Sequence, residues 1–187
     1  MTKLLICTQK IDKNDPILGF FHRWVEEFAK HCEQITVICL EKGIHDLPQN
    51  VRVFSLGKED FQLSTFNFQL FQKVKYMLTF WKLIWRERKN YNSVFVHMNQ
   101  VYIILGGLFW MVTEKKISLW YAHGSISFSL RIATILTHNV FTSTKSGFRI
   151  RTKKTKIVGQ GIDTDLFSLK NTTNNVKFEI ISIGRIS

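Results

Sequence analysis

The chain has 187 residues, 45% hydrophobic and 13% aromatic, which suits one globular domain with a short extension and excludes a disordered or fibrous protein. Its 26 Lys and Arg against 14 Asp and Glu give +12 with neutral His, so an anionic partner is expected: nucleic acid, acidic lipid or a polyphosphate group. Cys7, Cys32 and Cys39 are odd in number and lack Cys-x-x-Cys spacing, which reads as buried reduced thiols in a cytosolic protein.

The N-terminal Leu4-Leu5-Ile6-Cys7 is too short for a signal peptide and reads as a first strand over Lys3 to Thr8. Leu18 to His31 follows with Phe20, Phe21, Trp24, Val25 and Phe28 at helical spacing, and Ile35 to Leu40 is again an apolar strand. This βαβ unit with continuous apolar strands predicts a parallel sheet covered on both faces. Val51 to Leu56 alternates and fits a strand nearer an edge, while Ser93 to His97, Ile117 to Tyr121 and Asn139 to Thr142 fit interior strands, and Lys156 to Gly159 adds a last one. Helical segments between them predict an α/β, doubly wound, mostly parallel Rossmann-like sheet. The longest apolar run, Val101 to Val112, is shorter than the roughly 18 residues that span a bilayer.

Phe66 to Tyr91 is the longest helix candidate. Gln72, Lys75, Thr79, Lys82 and Arg86 form one narrow polar stripe, and the apolar remainder is wider than one core-facing side requires. It fits a long crossover helix with a wide buried face, or a basic, aromatic surface that meets an anionic membrane. A stretch rich in Asn, Thr and Ser, Ser168 to Asn175, reads as a linker, so a boundary is placed after residue 167. Ile180 to Ile183 then reads as the first strand of a further domain of which only 168–187 is present.

Ligands of an open α/β sheet bind where the strands end, which singles out three loops. In the first, Gly19 lets backbone approach a ligand at a helix N-terminus, or simply makes a turn; Gly-x-Gly-x-x-Gly is absent. The second is His97-Met98-Asn99-Gln100. The third is Tyr121-Ala122-His123-Gly124-Ser125, whose His can hydrogen-bond or exchange a proton with a bound hydroxyl, or be an ordinary solvated loop His. Gly-x-Ser-x-Gly, a Walker loop, His-Glu-x-x-His and paired carboxylates are missing, so hydrolase and metalloenzyme readings are weak.

Taken in order, Gly19 with Phe21-His22-Arg23-Trp24-Val25-Glu26-Glu27-Phe28-Ala29, Val94 to His97, Trp120-Tyr121-Ala122-His123-Gly124, Val158-Gly159-Gln160-Gly161-Ile162-Asp163-Thr164-Asp165-Leu166-Phe167 and Ile183-Gly184-Arg185-Ile186-Ser187 resemble the N-terminal half of a family 4 retaining glycosyltransferase of the GT-B fold. The resemblance spans essentially the whole chain, and the Gly-x-Gly-Ile-Asp-x-Asp-x-Phe block, similar to the family's hinge, is its most specific part. It implies sugar transfer from a nucleotide-diphosphate donor to an acceptor hydroxyl, with retention and without a metal or other cofactor. By the family's pattern residues 1–167 form the acceptor-side domain, with His22, Asn99 and Gly124 near the acceptor and His123 beside the reacting sugar. Gly19, Gly184 and Arg185 would meet the donor diphosphate, Arg185 by stabilising charge on the leaving group. The first loop has Leu18-Gly19 where the family has Gly-Gly, and the family's further donor-site residues lie beyond Ser187, so the isolated chain is expected to be inactive. The acceptor would be a glycan or a lipid-linked glycan, at the cytoplasmic side and with peripheral contact to the inner membrane face through 66–91. The alternative is a non-enzymatic basic α/β module that docks on anionic membrane or nucleic acid; no helix-turn-helix, RNA-recognition or zinc module is visible, so nucleic acid is the less expected partner.

Overall fold

The computed structural model describes residues 2–60 and 66–162, with side chains from 69 onward in the second stretch. Strand β1, Lys3–Ile11, buries Leu5, Ile6, Cys7 and Ile11, one set toward each sheet face, as a strand covered on both sides must. Helix α1, Gly19–His31, places Phe21, Val25 and Ala29 on one stripe, and β2 (Gln34–Lys42) and β3 (Val51–Ser55) complete the first half. Then come α2 (Phe66–Arg86), β4 (Ser93–His97), α3 (Val101–Val112), β5 (Lys116–Trp120), α4 (Phe128–Leu136), β6 (Asn139–Thr142) and β7 (Thr155–Ile157). All seven strands are parallel, in the order β3-β2-β1-β4-β5-β6-β7. The doubly wound α/β sheet is as expected, and β3 is an edge strand. The order reverses between β1 and β4, where a crevice opens beyond the strand ends.

The two faces are unequally covered. Helices α2, α3 and α4 pack on one face through Phe80, Leu83, Ile84, Tyr102, Ile103, Trp110, Leu130 and Ala133. On the other face α1 covers β1 and β2, and beyond it Trp24, Phe28, Phe95, Trp120 and Phe141 line an apolar cavity of about 410 Å3 closed at its rim by Val158 to Gly161. The core's aromatic tips are satisfied: Trp110 Nε1 donates to the Tyr91 hydroxyl at 3.1 Å, which donates to the Ile84 carbonyl at 2.9 Å, and the Tyr102 hydroxyl donates to the Thr8 carbonyl at 3.0 Å.

Several element boundaries differ from expectation. β1 and β2 run on to Ile11 and Lys42, because Lys10 bridges Glu41 at 2.8 Å, Asp15 at 3.0 Å and Asp12 at 3.5 Å and so lets charged residues extend the ladder. The long helix ends at Arg86 rather than Tyr91. There Glu87 turns inward, buried, and accepts from Arg52 Nη2, Arg86 Nε and Asn90 Nδ2, each at 2.9 Å, while Tyr91 enters the core. β7 starts at Thr155 and stops before Gly159, whose φ of +77° breaks the extended backbone. The linker 168–175, the boundary at 167 and the strand Ile180 to Ile183 lie outside the described residues.

Candidate functional site

The three loops expected from the strand ends do meet. β1, β4 and β5 are neighbours, with His97 paired to Trp120 in register, so their following residues crowd one edge of the sheet. Met98 N donates to the Trp120 carbonyl at 2.8 Å, and Ala122 N points at the Met98 sulfur at 3.4 Å. Met98 holds φ +61°, a left-handed conformation a Met rarely adopts; it turns the chain sharply out of β4 at the topological switch point. Asn99 Oδ1 then accepts from Val101 N at 3.1 Å, in a side-chain turn that leads into α3, and Gln100 Nε2 donates to Ser129 Oγ at 3.1 Å, tying this loop to the start of α4.

His97 itself faces inward. Its ring stacks on Phe21 at 3.9 Å between centroids, its Nδ1 lies 3.2 Å from the Thr8 hydroxyl, and its buried Nε2 has no partner among the described residues. Burial pushes its pKa down to about 3, so it is neutral near pH 7.

His123 is exposed at the end of the β5 loop. Ser125 N donates to its Nδ1 at 3.2 Å, and Ser125 Oγ lies 2.8 Å from the same atom. A backbone amide can only donate, so Nδ1 is the acceptor and, in the neutral ring, Nε2 carries the proton. Tyr121, buried beneath, holds Ser125 through its hydroxyl at 3.3 Å from both the Ser125 carbonyl and Oγ. Gly124 leaves room for the Arg149 guanidinium, which stands 3.3 Å from where a Cβ would be.

The first loop is built differently. Asp15 Oδ1 accepts from Ile17 N at 2.9 Å and Leu18 N at 2.7 Å, and these bonds, with Lys10, hold its carboxyl down to about 2. The helix start at Gly19 therefore already faces a carboxylate. Gly19 is tight against the loop, with the Lys13 carbonyl oxygen 3.1 Å from its Cβ position, so a larger residue there would have to push the loop back by a few tenths of an ångström. His22 is turned to the β2–β3 loop: its Nε2 accepts from Asp46 N at 3.2 Å and its Nδ1 lies 3.4 Å from Glu26, while burial lowers its pKa. Gly184 and Arg185 lie outside the described residues. The geometry thus brings Asn99, His123 and Gly124 to one edge, sets Gly19 on the adjacent α1 terminus, and commits His22 within the fold. Among the described residues no group of three His, Cys, Asp or Glu could hold a metal ion.

The sequence singled out Gln100 only as part of its loop and gave no sign of Ser127 and Ser129, which it meets across two loops, or of Arg149. The β6–β7 connection, residues 143–154, joins parallel strands with no helix and instead buries Phe148 against Tyr121, ring centroids 6.1 Å apart. A signal for it was present: from Lys115 to Ile162 the chain contains no Asp or Glu.

Comparison with solved structures gives the fold its context. HepE from Anabaena, solved with UDP, superposes with a TM-score of 0.56 at 17% identity, over 88% of this chain and 46% of that one. MurG from Acinetobacter baumannii gives 0.52 at 9% identity, over 91% and 50%. The fold is that of a GT-B half-domain. UDP-GlcNAc 2-epimerase from Methanocaldococcus jannaschii shares it, with a TM-score of 0.51 at 14% identity over 83% and 45%. The chain spans about half the length of these structures. No protein family model and no curated protein matches the sequence.

Proposed function

We propose that the chain is the acceptor-side half of a sugar transferase that takes its sugar from a nucleotide-diphosphate donor and delivers it, with retention, to an acceptor hydroxyl. The observation that carries this reading is the His123 loop: an exposed histidine, its Nδ1 engaged by Ser125, at the strand-end edge of a GT-B half-domain, with the Arg149 guanidinium packed on the neighbouring Gly124. The fold's neighbours include HepE solved with UDP and with UDP-glucose, which supports a nucleotide sugar as the donor. In this reading His123 meets a hydroxyl of the reacting sugars through the ring nitrogen that Ser125 leaves free. Asn99, whose Oδ1 accepts from Val101 N, offers its NH2 to the acceptor, and Gly124 lets the Arg149 guanidinium stand beside it. Gly19, Gly184 and Arg185 remain the proposed diphosphate contacts, and no metal or cofactor is assigned a part.

The decisive assay pairs transfer with substitution. The 187 residues alone, given nucleotide sugars and glycan or phosphoprenyl acceptors, are expected to release no nucleotide. In a protein carrying both halves, H123A is expected to lower kcat by about 100-fold. Unchanged turnover in H123A would remove His123 from the reaction.

A membrane-facing α2 is supported by its surface. Leu70, Phe71, Val74, Leu78, Trp81 and Trp85 are exposed, Lys73, Lys75, Lys82 and Arg86 stand among them, and neither α2, α3 nor α4 has an acidic residue. Apolar rings flanked only by cations fit the boundary of an anionic bilayer, where a lipid-linked acceptor would reside. None of the described helices is long and apolar enough to cross a membrane.

A further inference from the structure

The β6–β7 connection carries more charge than the fold needs. Six of the twelve residues from Lys145 to Lys156 are Lys or Arg. Lys154 is used by the fold, its Nζ donating to the Thr134 and Ile135 carbonyls at 2.9 Å and so closing the C-terminus of α4. Lys156 lies over the Phe141 ring at 5.9 Å. Lys145, Arg149 and Arg151 are exposed, and among the described residues none of them pairs with a carboxylate. With the exposed Lys153, these unpaired cations on one short connection make a local positive field that attracts anions.

The surface is concave as well as basic. Lys145, Arg149, Arg151, Thr152 and Thr155 line an open hollow of about 340 Å3 together with the buried Phe148 and the exposed Ile157. Phe148, only 5% exposed, anchors the loop in the core and fixes its neighbour Arg149 at the rim. From there the Arg149 guanidinium reaches the Gly124 backbone, with Nε, Cζ and Nη2 all 3.3 Å from the Cβ position, next to His123. A flat lipid surface cannot enter such a hollow; a compact, multiply charged group can. Guanidinium forks match phosphate oxygens in pairs, and the two threonines add hydroxyl donors.

We infer that the Lys145–Arg149–Arg151 hollow binds a phosphate or diphosphate group carried by the acceptor, and so holds the acceptor's hydroxyl end toward His123. The inference rests on the transferase reading for the word acceptor, but the anion site itself stands on geometry and charge. It makes the substrate class a phosphate-linked one, whether the phosphate is borne by a prenyl chain or by a soluble sugar.

The test is calorimetric titration of inorganic pyrophosphate into the 187-residue chain. Saturable binding of one equivalent is expected, weakened about tenfold or more in R149Q/R151Q and less in K145Q, with thermal unfolding midpoints unchanged because these side chains are exposed. Wild-type binding by the double variant, or no binding by the wild-type chain, overturns the inference. Vesicles separate the sources: recruitment that needs Arg149 and Arg151 should appear when a prenyl diphosphate is present and be absent with phosphatidylserine alone. Equal, Arg149-dependent recruitment by phosphatidylserine would make the hollow a general headgroup site and overturn its assignment to the acceptor. Pyrophosphate binding as expected, without nucleotide-sugar turnover by any protein carrying both halves, would sink the transferase reading and leave the phosphate site standing.

Discussion

Two histidines at neighbouring strand ends have opposite characters, and contact geometry separates them. His97 is sealed between Thr8 and the Phe21 ring, with Phe20 and Trp24 about its edge at 6.0 Å each. Its folded pKa of about 3 lies below the ordinary value of 6.5, so the unfolded chain takes up a proton that the folded chain refuses. Stability from this group is therefore fully present above pH 6.5 and is lost as pH falls toward 3. By pH 5 the loss should be about 2 kcal/mol, read as a drop in urea-unfolding free energy that H97Q flattens. A wild-type slope equal to that of H97Q would show that the ring is hydrated. The sequence offered both residues only as strand-end histidines. What distinguishes them is a stacked Phe from another element and a serine two positions on; the serine could be read in the sequence, the stacking could not.

Glycines at the end of the described chain argue similarly. Gly159 and Gly161 hold φ of +77° and +66°, and Gly161 stands against Trp24, whose ring atoms lie 3.6 Å from its Cβ position. The Gly-x-Gly of the hinge-like block is thus a backbone requirement. G161A is expected to cost about 1 kcal/mol in chemical denaturation, by left-handed strain. No change would mean the turn is free to relax.

Among the elements, strands were the most legible, because each is a short apolar run bounded by polar residues, and β4 and β6 fall where the pattern puts them. Ends that depend on tertiary partners were not: Lys10 with three carboxylates lengthens β1, and Glu87 with Arg52 stops α2. The wide apolar side of α2 was visible in the pattern and is exposed in the fold, with Trp81 at 43% and Trp85 at 59%. Trp81 nevertheless donates through Nε1 to the Leu105 carbonyl at 2.9 Å, so one edge of its ring serves the α2–α3 contact. If α2 meets an anionic bilayer, the chain should float with phosphatidylglycerol liposomes at low salt and fall off as salt rises toward about 0.5 M. Replacing Phe71 and Leu78 with Glu should abolish flotation with little change in stability, since both are more than half exposed. Flotation unaffected by that pair would place the contact elsewhere.

At the scale of the molecule, the described residues cover the sheet with three helices on one side and with α1 on the other, and the charge is divided as well. Between Glu114 and Asp163 there are no carboxylates, whereas the loop after β1 holds Asp12 and Asp15 near Glu41. The strand-end edge thus runs from an acidic, lysine-bridged side at Gly19 to a basic side at Arg149, with His123 toward the basic end. Composition announced the net charge, but only the parallel order of the strands shows that it gathers at the β5–β7 side of the crevice. The central claim is that this edge holds the acceptor, and hydrogen exchange of the backbone amides tests it most directly. With a phosphoprenyl sugar added to the 187-residue chain, the account expects slowed exchange in residues 98–100, 121–127 and 145–151 and none in the β2–β3 loop. Protection confined to other segments, or no protection at saturating ligand, would contradict it.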